Sequence, residues 1–225
     1  MSTRDEFANN HFIMKTLLLI LTIILSFKSN GQLTNQLFNV YGKYSYGFNS
    51  STTYNNFGLT GELIVHNNIG VNYNFDLIQR SDNFRQIHTP MGIVGGPLLI
   101  AAGLANVFDG DSTSRGGLAL VGIVMFLLPD GVSFHQNIGY RWDISPYANV
   151  LGIDFIKDRT TGDSWIKYAC SFGVRGTYVL KDRITFSPFI ETRKTASIPW
   201  GFGAGFGVGI LFGERDSYEE EQPAQ

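Results

Sequence analysis

Apolar and polar residues alternate along most of the chain from about residue 38 onward. Side-chain chemistry of period two marks a strand, because successive Cβ atoms point to opposite faces. The alternation predicts eight strands, at about 38–48, 55–65, 69–80, 132–139, 144–156, 165–178, 184–193 and 200–212. In the first, Phe38, Val40, Tyr44, Tyr46 and Phe48 share one face, and Asn39, Tyr41, Lys43 and Ser45 the other. The third sets Ile69, Val71, Tyr73, Phe75 and Leu77 against Asn72, Asn74 and Asp76. The last, WGFGAGFGVGILFG (200–213), is the most extreme: its apolar face is rich in aromatics, while Gly201, Gly203, Gly205, Gly207 and Gly209 leave the other without side chains. Such a face implies bulky groups opposite it, or a crowded and strongly curved interior. The fifth segment is ambiguous, since Ala148 and Val150 face one way and Leu151, Ile153 and Phe155 the other.

One stretch breaks the pattern. MGIVGGPLLIAAGLANVF (91–108) and GGLALVGIVMFLLP (116–129) are apolar without alternation and are separated by polar DGDSTSR (109–115). At about 1.5 Å per helical residue the first run nearly matches a bilayer core and the second is short by roughly a third. The expectation is a helical hairpin, insert 91–129, with Gly92, Gly96 and Gly103 near one face for close packing and Pro129 ending the second helix. An eight-stranded barrel is filled by its own side chains, so the hairpin must lie outside the lumen: on the outer leaflet, along the wall or against a partner. With both termini periplasmic, the inner turns fall at 66–68, 140–143 and 179–183, and the outer loops at 49–54, 81–131, 157–164 and 194–199. Trp142, Trp165, Tyr178 and Trp200 then stand near strand ends, as an interfacial girdle would.

Composition narrows the setting. The chain has 225 residues, 44% hydrophobic and only 16% charged, with 26 Gly and a mean hydropathy of +0.01, which suits a barrel better than a helical membrane protein. MKTLLLILTIILSFKSNGQ reads as a secretory signal peptide, with Lys15 ahead of an apolar run from Leu17 to Leu25 and Ser29 and Gly31 before a cleavage site at Gln32. MSTRDEFANNHFI before it makes a poor n-region and reads as an upstream extension. The domains expected are therefore 1–31 (extension plus signal), 32–213 (barrel) and 214–225, an acidic disordered tail. The lone Cys170 excludes a disulfide framework, and 17 Lys+Arg against 19 Asp+Glu give nucleic-acid binding no support.

The signal peptide, the eight alternating strands with lumenal Gly, Asn and Ser, and the aromatic-ended last strand resemble the small eight-stranded outer-membrane β-barrel proteins of Gram-negative bacteria, the OmpA-type and opacity-like group. The resemblance implies an all-β fold, an eight-stranded antiparallel transmembrane β-barrel in the bacterial outer membrane, here with the helical hairpin inserted. Phe212 stands where such barrels carry a C-terminal aromatic assembly signal, although 13 residues follow it. The group's functions are too diverse to transfer.

Candidate chemistry is sparse. Ser133 and His135 lie two apart and share a strand face, with Asp76 or Glu62 as candidate acids, so acyl transfer to or from an envelope lipid is one reading. The plainer one is a lumenal polar network of Lys43, Glu62, Asp76, His135, Lys167, Arg175 and Glu191, because buried charges need partners. His66, His88 and His135 lack metal-ligand spacing, and GFGAGF lies within a strand rather than before a helix, so no metal or phosphate-bound cofactor is expected. Arg80, Arg85, Lys157, Arg159, Arg193 and Lys194 fall at the outer rim and are candidates for lipid head groups. The expectation is a structural or interaction protein, partnered by outer-membrane lipid and by an envelope protein through 91–129. The alternatives are a lipid-modifying enzyme, a small-solute pore, a helical inner-membrane protein with a β-domain, and a soluble β-sandwich or lipocalin-like barrel with the hairpin as a lid.

Overall fold

A computed structural model describes residues 33, 36–66, 68–107, 113–181, 183–195 and 198–214; the signal peptide and the tail beyond Glu214 lie outside the described residues. The strands are β1 (Gln36–Phe48), β2 (Thr53–His66), β3 (Ile69–Arg80), β4 (Phe84–Pro90), β5 (Gly131–Phe134), β6 (Gln136–Asn137), β7 (Trp142–Asp158), β8 (Ser164–Leu180), β9 (Ile184–Thr195) and β10 (Gly201–Glu214). Two helices, α1 (Met91–Val107) and α2 (Thr113–Phe126), stand between β4 and β5. All pairings are antiparallel, and β1 pairs with both β2 and β10, so the sheet closes on itself. Closure removes the free edges that hydrocarbon would leave unsatisfied.

The ring has eight staves, and the fourth is composite. β4 pairs with β3 from Asp76↔His88 to Gln79↔Arg85, and β5 with the same strand from Ile69↔Phe134 to Asn72↔Gly131. Both also pair with β7. Residues 84–90, expected in an outer loop, are thus the distal half of the stave, on the side of the rim opposite the termini. The reach of 81–131 is correspondingly no loop: only 81–83 connect β3 to β4. The helical hairpin leaves the wall halfway along a stave. Carrying the β3–β4 register on by two places puts Pro90 opposite Asn74, one position short of Gly131 opposite Asn72. The stave is continuous but for a single place filled by residues 91–130.

The ambiguity of the fifth segment has a local cause. The β7–β8 register shifts between Asn149↔Ser171 and Gly152↔Ala169, so Val150 and Leu151 together oppose one residue. Before this bulge Asp143, Ser145 and Asn149 turn inward; after it Gly152, Asp154 and Ile156 do, and Val150 and Leu151 both face out. The amides of Val150 and Leu151 both donate to the Asp130 carbonyl, at 2.7 and 2.9 Å, where the chain re-enters the stave.

The wall is inverted relative to a soluble protein. Phe57, Leu59, Ile166, Ile190, Phe202, Val208 and Ile210 are exposed, whereas Asn39, Asn56, Glu62, Asp154, Arg175 and Ser187 are buried. An apolar exterior around a polar interior is the transmembrane-barrel arrangement. The lumen is plugged at the terminus end by an apolar cluster of Leu33, Ile64, Val179 and Leu211. The glycine face of β10 makes room for tyrosines: a Cβ at Gly209 would lie 2.5 Å from Tyr41 Cβ, and one at Gly201 would lie 3.0 Å from the Tyr54 ring.

Candidate functional site

Two linked charge clusters fill the lumen. Nearer the termini, Glu62 accepts from Arg175 Nη2 at 2.7 and 2.9 Å, from Ser133 Oγ at 2.5 Å and from Asn39 Nδ2 at 3.2 Å. Arg175 also donates to the Tyr41 hydroxyl and lies 4.9 Å from that ring. Nearer the distal rim, Arg193 bridges Asp76 at 3.2 Å and Asp154 at 2.7 Å; Lys43 pairs with Asp76 at 3.0 Å, and His88 Nδ1 faces Asp154 at 2.8 Å. Asp130 takes Asn74 Nδ2 at 2.9 Å, and Glu191 takes Tyr147 at 3.3 Å. Glycines open the space these groups occupy: a Cβ at Gly70 would lie 2.5 Å from Ser133 Oγ, and one at Gly152 would lie 2.2 Å from His88 Cε1.

Of the expected network, Lys43, Glu62, Asp76, His135, Arg175 and Glu191 take part. Lys167 does not: it faces inward but sits half-buried at the distal mouth, outside the ion pairs. The missed members are His88, Asp130, Asp143, Asp154 and Arg193. Arg193 had a signal, since it shares strand parity with Glu191; the others were hidden by the composite stave, the bulge and a segment read as a turn.

Ser133 and His135 meet two acids, the expected Glu62 and, on the far side of the imidazole, Asp143, which the sequence did not single out. Ser133 Oγ lies 3.3 Å from His135 Nε2, and His135 Nδ1 lies 3.0 Å from Asp143 Oδ2. That is the order of a Ser–His–Asp relay, but the serine hydroxyl donates to Glu62, whose carboxylate also stands 3.1 Å from Nε2. A ring nitrogen engaged with a carboxylate is not free to take the serine proton. Ser133 is 0% and His135 2% exposed. Among the described residues no three His, Cys, Asp or Glu side chains form a metal-binding group.

The six rim cations separate. Arg193 is buried in the lumen, a correction forced by its ion pairs. Arg80 also turns inward, bonded to Asp82 and 5.3 Å from the Phe84 ring. Arg85 and Lys157 are directly opposed across β4 and β7, both exposed on the outer wall. Arg159 is exposed in the turn after β7, and Lys194 donates to the Ile198 carbonyl at 2.7 Å. Of the expected girdle, Trp142 and Tyr178 meet on the wall with ring centroids 4.8 Å apart and planes tilted by 47°, and Trp200 lies near Phe172, but Trp165 faces the mouth beside Phe84.

The hairpin is held by glycine contacts. A Cβ at Gly96 would lie 2.6 Å from Phe126 Cβ, and one at Gly122 would lie 2.8 Å from the Gly96 carbonyl oxygen, so the helix backbones pass close together. It lies on the outer side of the wall. Tyr73, an outward residue of β3, donates to the Leu127 carbonyl at 2.6 Å, and the outward positions Thr89 and Ile153 are covered where α1 meets β4 and β7. Leu98, Leu120, Val121, Ile123, Val124 and Leu127 remain exposed. Among the described residues no helix is long and apolar enough to cross a membrane, and strands form the spanning ring, so the helical inner-membrane reading falls.

No family model and no curated protein matches the sequence. Among solved structures, the chain is similar to Neisserial surface protein A (7% identity, TM-score 0.47, covering 78% of this chain and 96% of that one). It is likewise similar to the N-terminal β-barrel domain of Pseudomonas aeruginosa OprF (8%, 0.45, 77% and 97%) and to the outer membrane protein OprG from Pseudomonas aeruginosa (8%, 0.42, 82% and 100%). Likeness at this distance carries no activity across. The closed ring of eight staves, its apolar wall and its charged, plugged interior make the chain a small outer-membrane β-barrel.

Proposed function

We propose that the protein is a non-catalytic interaction barrel of the cell envelope, in which the ring is a sealed anchor and the hairpin is the working part. The observation that carries this reading is the exit of an apolar hairpin from the middle of a stave, where hydrocarbon surrounds the wall. An exposed apolar surface of this kind in that position is a contact surface, either for acyl chains or for another membrane protein. Solute passage is disfavoured by the filled lumen, whose cavities of about 20 and 10 Å³ hold about one water each. Catalysis is disfavoured by the burial of Ser133 and His135 and by the Glu62 carboxylate between them.

Deletion of 91–129 leaves Asp130 to fill the one place between Pro90 and Gly131, so the shortened chain should still assemble as a heat-modifiable barrel. Photo-crosslinkers at Leu120 and Val124 in native membranes should then report lipid or a defined membrane protein in the full-length protein. Labelling of these positions by a water-soluble reagent in intact membranes would refute the reading. Loss of an envelope-lipid modification in Ser133→Ala/His135→Ala, with assembly intact, would move the function to catalysis. The cations left outside, Arg85, Lys157, Arg159 and Lys194, are proposed to contact anionic head groups around the distal rim.

A further inference from the structure

The distal mouth holds a recess that the interaction role does not use. It has a volume of about 360 Å³ and is lined by Arg80, Phe84, Ile156, Trp165, Lys167 and Ile198. That is within the range of small-molecule sites, which pair an apolar lining with a few polar groups. Arg80 and Ile198 also line an adjoining niche of about 20 Å³, together with Tyr54, Gln86 and Arg193. Among the described residues three donors there find no hydrogen-bond partner, Tyr54 Oη, Gln86 Nε2 and Arg193 Nε, and all three side chains belong to residues at most 6% exposed.

Buried donors without acceptors are costly, and here they gather at one place. Of the cations, Arg80 is shared with Asp82 and Arg193 with Asp76 and Asp154. Among the described residues Lys167 makes no ion pair: Asp154 lies opposite it in the β7–β8 register, but that carboxylate is occupied by Arg193, His88 and Thr195. The recess therefore offers an aromatic and aliphatic wall and one ammonium outside the ion pairs, and the buried donors lie in the adjoining niche that shares Arg80 and Ile198 with it.

We propose that the distal mouth is a binding site for a small amphipathic oxyanion, a phosphate or carboxylate head on an apolar or aromatic body. The body lies against Phe84, Trp165 and Ile156, and the head meets Lys167 and accepts from the Tyr54 and Gln86 donors. The chemistry is the same whether the ligand is a free solute or the head of a neighbouring lipid.

Phenyl phosphate is a suitable probe, offered to the assembled protein in maltoside micelles. Trp142→Phe/Trp200→Phe leaves Trp165 as the reporter. Saturable change in its emission is expected with phenyl phosphate, weaker binding with inorganic phosphate and none with phenol. Tyr54→Phe removes one donor and Lys167→Met the free charge, and each is expected to weaken binding about tenfold in a barrel that still shows its heat shift. Phosphatidylglycerol vesicles distinguish the source: blocked probe binding identifies a lipid head, and unchanged binding a free solute. No saturation with phenyl phosphate would mean that water alone satisfies the donors and would overturn the proposal. Binding of phenol as tight as that of phenyl phosphate, or indifference to both substitutions, would do the same.

Discussion

Glu62→Gln tests whether paired charge holds the lumen together. The carboxylate is 1% exposed, and the Arg175 guanidinium that donates to it at 2.7 and 2.9 Å is equally buried. Glutamine keeps the shape and one acceptor oxygen but removes the charge, so Arg175 is left in a sealed interior with neutral partners. Breaking a buried ion pair from one side costs ~3–5 kcal/mol. That is about two to three and a half powers of ten in the folding equilibrium. Arg175→Met leaves Glu62 beside His135 and is expected to cost a comparable amount. The double variant strands neither charge, so it should cost no more than the worse single, a coupling of at least ~2 kcal/mol. Urea unfolding in phosphatidylcholine vesicles, followed by tryptophan emission and by the heat shift on gels, measures all three. Because the pair is screened from solvent, the coupling should also survive high salt. Single costs that simply add within ~0.5 kcal/mol, or a Glu62→Gln barrel within ~1 kcal/mol of wild type, would refute the argument.

Three further outcomes follow from particular contacts. Gly96→Leu places atoms where Phe126 Cβ and the Gly122 carbonyl already lie, so the helices should part and α2 become protease-sensitive while barrel stability is unchanged. Gly47→Ala sets a Cβ 2.2 Å from Tyr54 Cζ and should destabilise the barrel by ~1–3 kcal/mol, with Tyr54→Ala in the same chain relieving the clash. Arg85 and Lys157 are like charges directly opposed on the wall, so replacing either by Ala should stabilise the barrel in neutral detergent and destabilise it in anionic lipid; the same sign in both would remove the head-group assignment.

What sequence alone can reveal here depends on whether the signal is local. Six of the eight staves show as unbroken alternation because a membrane wall demands apolar groups at every second position, and this demand does not depend on the neighbours. The fourth is legible only in its half at 132–139, because its other half, FRQIHTP, is too short to display a period and lies about forty residues from GVSF. Their union exists only through pairing with β3 and β7. The same break moved His88 from the lumen to a loop and set Asp130 outside any strand, so these two members of the distal charge cluster could not be seen. The bulge at Val150 and Leu151 was legible as a contradiction in parity, and its cause, two amides held by one carbonyl at the point of re-entry, is tertiary. Arg193 is different in kind: its parity with Glu191 pointed inward, and only its nearness to a strand end suggested the rim. Depth along a stave is therefore a weaker guide than parity, because a long side chain crosses several ångströms of lumen to reach a partner, whereas it cannot cross the wall.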